Sequence, residues 1–100
     1  DRIAEGLLVA VREAAQVAVK TPDDYEARAT LMWAGSLSHN GLTGTGRQSD
    51  FASHKIEHEL GGMFDVAHGA GLCAVWGSWA RYVYKTNPAR FSRNITSVAL

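Results

Sequence analysis

Apolar residues recur at helical spacing through most of the chain. Between residues 2 and 19, Ile3, Leu7, Ala10, Val11, Ala14, Val17 and Ala18 share one broad face, which predicts an amphipathic helix. The segment Thr21-Pro22-Asp23-Asp24 restarts the chain. Thr21 is a good N-cap, Pro22 suits the first helical position, and the two acids favour the positive end of the dipole. The second helix runs to about Asn40-Gly41, a C-terminal stop signal. Residues 41–49, GLTGTGRQS, read as a glycine-rich loop. A third helix is expected over roughly 50–62, capped by Ser49 or Asp50 and ended by Gly61-Gly62. Asp65 then caps a fourth, of about 66–85, carrying Leu72, Val75, Trp76, Trp79, Tyr82 and Val83. Its Trp76, Trp79 and Tyr82 stripe is expected in the core. Asn87-Pro88 repeats the cap-then-proline signal and opens a fifth helix. No segment combines a period-two pattern with turn chemistry, and no repeat is visible. The expected fold is all-α, an antiparallel helical bundle of four to five helices with short connections.

Composition narrows the functional classes. At 100 residues the chain is the size of one domain, able to bury roughly two-thirds of its unfolded surface in one modest core. Ten basic and ten acidic residues cancel, so the charge balance recruits neither nucleic acid nor an anionic membrane. Apolar runs are short and broken by charges, so none is expected to span a bilayer. The single cysteine, Cys73, cannot form an internal disulfide, which favours a reducing compartment and a cytoplasmic location. The chain begins at Asp1 within a helical pattern and without a methionine, so it reads as a piece of a longer protein.

The candidate chemistry lies on the third helix. At about 100° per residue, Asp50, His54, Glu57, His58 and Gly61 cluster on one side; Ala52, Ile56, Leu60 and Met63 cluster on the other, the natural core face. Two imidazoles and two carboxylates without a lysine among them are unusual for a merely solvated face. Imidazoles one turn apart can converge on one ion. Asp50 alone reads first as an N-cap, and Glu57 as a surface group or one that orients a ligand imidazole. His58 alone could be a hydrogen-bonded core histidine. His39, near a helix C-terminus, is favoured there by the dipole and is given no catalytic role.

Two chemical readings compete. His54-Lys55-Ile56-Glu57-His58 fits H-x-x-E-H, the inverted zinc-peptidase motif, with both histidines on zinc and the glutamate as base. Beyond Glu59 that reading finds only Asp65 and His68 as further metal-capable groups, with Cys73 a weak extra, and the expected downstream carboxylate is absent.

The second reading rests on longer stretches: YEARATLMWAGSLSHNGLTGTGR, DFASHKIEHELGGMFDVAHGAGLCAV and WARYVYKTNPARF. Through these, residues 24–93 resemble the iron-containing (group III) alcohol dehydrogenases, especially the NAD(P)H-dependent butanol dehydrogenase-like branch. The resemblance implies a part of the helical, dehydroquinate synthase-like C-terminal domain, which binds a divalent metal, iron or alternatively zinc, through one aspartate and three histidines. It assigns the last two histidine ligands to His54 and His68, and it places His58 beside the metal towards the nicotinamide, as a catalytic group that does not ligate. Residues 1–93 are then the metal-binding fragment, and residues 94–100, NITSVAL, a tail outside the expected pattern.

The resemblance further implies a metal-dependent oxidoreductase that transfers hydride between NAD or NADP and a primary alcohol or aldehyde, the metal acting as Lewis acid on the substrate oxygen. NAD(P) is bound mainly by an N-terminal α/β domain absent from this chain, and the parent enzyme is expected to be a homodimer. GLTGTG does not replace that domain, having neither G-x-G-x-x-G spacing nor a preceding strand. The aspartate and histidine ligands of an upstream helix are also absent, so the chain alone is expected to be inactive. The remaining alternative is a non-enzymatic helical module.

Around His68 the residues support that assignment. His68 falls in the first turn of the fourth helix, after a short reversal, and Gly69, Ala70 and Gly71 let another backbone or a ligand approach closely.

Overall fold

The amphipathic pattern over residues 2–19 closes into α1 (Arg2–Lys20), whose buried position is Ala14. The structure, a computed structural model, describes residues 1–98, with side chains through Arg93. Four more helices follow: α2 (Tyr25–His39), α3 (Ala52–Phe64), α4 (His68–Val83) and α5 (Pro88–Val98), with single 3-10 turns at Leu42–Gly44 and Tyr84–Thr86. Among the described residues there is no strand, so the class is all-α, as the periodicity predicts. No described helix is long and apolar enough to cross a membrane.

The chain divides into two compact units, Asp1–Gln48 with the residues from Ser92, and Ser49–Phe91. In the first, α1 packs on α2. Their buried positions are alanines, Ala14, Ala27 and Ala34, whose small side chains let two backbones approach closely. In the second, α3 packs on α4.

Helix starts differ from the sequence expectation in an instructive way. The cap of α2 is Asp24, not Thr21: its carboxylate accepts from the Ala27 N–H at 2.8 Å. Thr21 to Asp24 form a turn instead, closed by Asp24 N–H donating to the Thr21 carbonyl at 3.0 Å. Both residues have capping chemistry, and the turn hands the role to the second. The end of α2 falls as expected, at Asn40 with Gly41 at φ 94°.

Gly61 and Gly62 do not end α3; they lie within it. The helix stops at Asp65, in the left-handed region at φ 52°, whose N–H donates to the Gly61 carbonyl at 2.9 Å. Asp65 is thus the C-cap of α3 and not the N-cap of α4, which begins at His68 after Ala67. Aspartate tolerates this backbone better than most residues, and glycine inside a helix costs only about 1 kcal/mol.

The expected core face of α3 is only partly covered, with Ala52 and Leu60 half-buried, and the buried residue of the helix lies on the other side. Ile56 is 51% exposed and Met63 72%, while Glu57, on the polar side, is 1% exposed. The polar face is therefore the one that meets α4. The aromatic stripe of α4 is not core either. Trp76 and Tyr82 are exposed, and Trp79 is half-buried with its ring 6.3 Å from that of Phe91.

Candidate metal centre

The α3–α4 hairpin positions the histidines. His54 and His58 stand one turn apart on α3, and the reversal at Asp65–Ala67 returns the chain so that His68, the first residue of α4, faces them. Ring centroids lie 5.3 Å apart for His54 and His68, 5.5 Å for His58 and His68, and 6.5 Å for His54 and His58. One nitrogen from each lies within 4.8 Å of the others. His54 is half-buried and stacks edge-on with Phe51 at 5.4 Å, whereas His58 and His68 are exposed.

Glu57 lies between the two helices. His68 Nδ1–H donates to Glu57 Oε2. A β-carbon on Gly71 would stand 2.5 Å from Glu57 Oε1 and 2.7 Å from its Cγ, so the carboxylate fills the space that glycine leaves. Asp50 does not join the cluster's hydrogen bonding; its carboxylate accepts from the Ala52 N–H at 2.8 Å, at the start of α3.

A divalent ion fits this donor set. Imidazole nitrogens suit iron and zinc, and bonds of about 2.0–2.1 Å hold two ligand atoms no more than about 4 Å apart. The three nitrogens, within 4.8 Å of one another, stand close to that limit. Beside His54 lies a groove of about 490 Å³ with Phe51, Leu72, Trp76 and Trp79 among its lining.

The H-x-x-E-H reading requires Glu57 to face water as a base. In the structure that carboxylate is buried and committed to His68, so the role is closed to it. The same burial rules out the surface reading of Glu57 and leaves the other, a group that orients an imidazole. The signal for it in the sequence is its place between His54, His58 and Gly61 on one stripe, opposite a helix opening His-Gly-Ala-Gly.

Comparison with known proteins decides the family. The model of the Fe-containing alcohol dehydrogenase family, C-terminal part, matches residues 1–100. The chain belongs to this family. The match includes residues 94–100. Similar relatives include the NADH-dependent butanol dehydrogenases B and A of Clostridium acetobutylicum. These are 45% and 42% identical, each over 83% of this chain and 21% of the relative. The NADPH-dependent aldehyde reductase YqhD of Escherichia coli is 41% identical over 75% of this chain and 19% of its own length. The chain thus spans about a fifth of the relatives it matches.

Proposed function

We propose that this chain is the histidine-bearing helical part of a metal-dependent oxidoreductase that interconverts primary alcohols and aldehydes with NAD or NADP. The carrying observation is the convergence of His54, His58 and His68 at the α3–α4 hairpin of a chain in this family. His54 and His68 hold the divalent ion, iron or zinc, and an aspartate and a histidine from elsewhere in the polypeptide complete the set. When bound, the ion supplies Lewis-acid polarisation of the substrate oxygen.

His58 faces the same space without ligating, and it hydrogen-bonds or carries a proton near the substrate hydroxyl. The groove lined by Phe51, Leu72, Trp76 and Trp79 adjoins His54 and offers apolar surface to the hydrocarbon end of an alcohol. The nicotinamide is bound mainly outside this chain, in the same cytoplasmic enzyme, which works as a homodimer. Exposed Ile56, Met63, Phe64 and Tyr82 form faces for the rest of the polypeptide to cover. The names of the relatives support both NADH and NADPH as donors in the family.

The test is an assay of the full-length polypeptide for aldehyde-dependent oxidation of NADH and NADPH, before and after chelation and after return of iron or zinc. The proposal expects activity lost with the ion and restored with it. Turnover unaffected by complete metal removal would contradict it.

A further inference from the structure

We infer that Glu57 is a positioning residue that presets His68 for metal, and that Gly71 is glycine because Glu57 occupies the place of its side chain. The inference rests on the metal centre proposed above and adds to it two residues that touch no ion.

Glu57 is almost completely buried, and its carboxylate accepts from His68 Nδ1–H. A buried carboxylate is costly unless it is hydrogen-bonded, so the bond holds the imidazole even without an ion. A carboxylate oxygen accepts, so the proton sits on Nδ1 and the lone pair on Nε2. That is the tautomer a metal requires at Nε2, and the negative partner makes the nitrogen a better donor. His68 side-chain exposure is 51%, so without this bond the ring would be free to turn among rotamers.

Gly71 makes the arrangement possible. It follows His68 by one helical turn and is buried. An added β-carbon would meet Oε1, Cγ and Cδ of Glu57 at 2.5, 2.7 and 3.0 Å. These atoms belong to a packed side chain whose end is already bonded, so it cannot yield without releasing His68. Gly61 approaches the same carboxylate less closely; its β-carbon would lie 3.5 Å from Oε1, an ordinary contact. The two glycines therefore differ. Only Gly71→Ala should disturb the metal.

The experiment uses the full-length polypeptide, with cobalt(II) affinity measured by competition with a chromophoric chelator. The protonated nitrogen of His68 is read in the metal-free protein by 15N-histidine NMR. Glu57→Ala should weaken cobalt by about 10–100-fold, and metal-free His68 should lose its fixed Nδ1–H form. Glu57→Gln, which keeps the shape and an acceptor oxygen, should fold normally, keep that form and lose less affinity than Glu57→Ala. Gly71→Ala should weaken cobalt comparably, and Gly61→Ala should leave it within about twofold. The double variant Glu57→Ala, Gly71→Ala should bind no worse than Glu57→Ala alone, because the side chain that the β-carbon meets is gone.

Two results would overturn the inference while leaving the metal centre standing. One is wild-type affinity in Glu57→Ala beside a large loss in His54→Ala. The other is independent, multiplying losses in the double variant. A wild-type protein that binds no cobalt would overturn the metal reading and this inference with it.

Discussion

His54 and His68 stand fourteen residues apart in sequence, yet their rings lie 5.3 Å apart at an interplanar angle of 36°. His54 and His58, neighbours on one helix, are farther apart at 6.5 Å. The closer pairing is made by the reversal between α3 and α4, and Asp65 carries the unusual backbone of that reversal.

Asp65 therefore offers a handle on the site from a residue outside the cluster. Asp65→Gly should retain the fold and the metal. Asp65→Val should cost about 1–2 kcal/mol, because a β-branched residue is disfavoured in the left-handed region, and should lower metal retention with it. Thermal unfolding and metal content of the two variants check this; equal behaviour would contradict the role given to the reversal.

Capping of α2 can be tested in the same way. Asp24→Ala should destabilise by about 1 kcal/mol, since it removes the acceptor for the Ala27 N–H. Thr21→Ala should stay within about 0.5 kcal/mol. Urea denaturation of both variants gives the comparison, and a larger loss at Thr21 would contradict the observed cap.

These positions show how far the sequence could be read. The all-α class, with no strand among the described residues, followed from periodicity, and Asn87-Pro88 marked the start of α5, whereas Thr21-Pro22 fell in the turn before α2. The convergence of His68 on His54 followed from a resemblance joined to a short turn. What periodicity could not supply was the side of α3 that meets α4. Counting apolar positions favours Ile56 and Met63, but burial depends on which surface has a partner, and here the partner is a glycine-bearing face that accepts Glu57. The same limit explains Trp76 and Tyr82, which are apolar at helical spacing yet exposed. Local residue chemistry also could not choose between Thr21 and Asp24 as cap, since only the turn between them decides.

The groove beside His54 predicts a specificity effect. Trp76→Ala removes much of its apolar wall. In the full-length enzyme KM should rise for a four-carbon aldehyde by up to about tenfold, as for the loss of apolar contact in a hydrophobic pocket, with kcat less affected. Kinetics over a series of aldehyde chain lengths would measure it; an unchanged KM throughout would remove the groove from the substrate path.

The chain by itself should not catalyse. Purified residues 1–100, free of longer polypeptide, should show no alcohol-dependent reduction of NAD or NADP, because the proposal puts the nicotinamide site and two metal ligands elsewhere. Sustained turnover by this chain alone would contradict that division of labour.

The most direct test of the metal centre is metal analysis of three variants of the full-length polypeptide. His54→Ala and His68→Ala should each be isolated without the divalent ion. His58→Ala should retain it and lose rate. If His58→Ala empties the site while His68→Ala keeps it full, the assignment of His54 and His68 as the ligand pair is wrong.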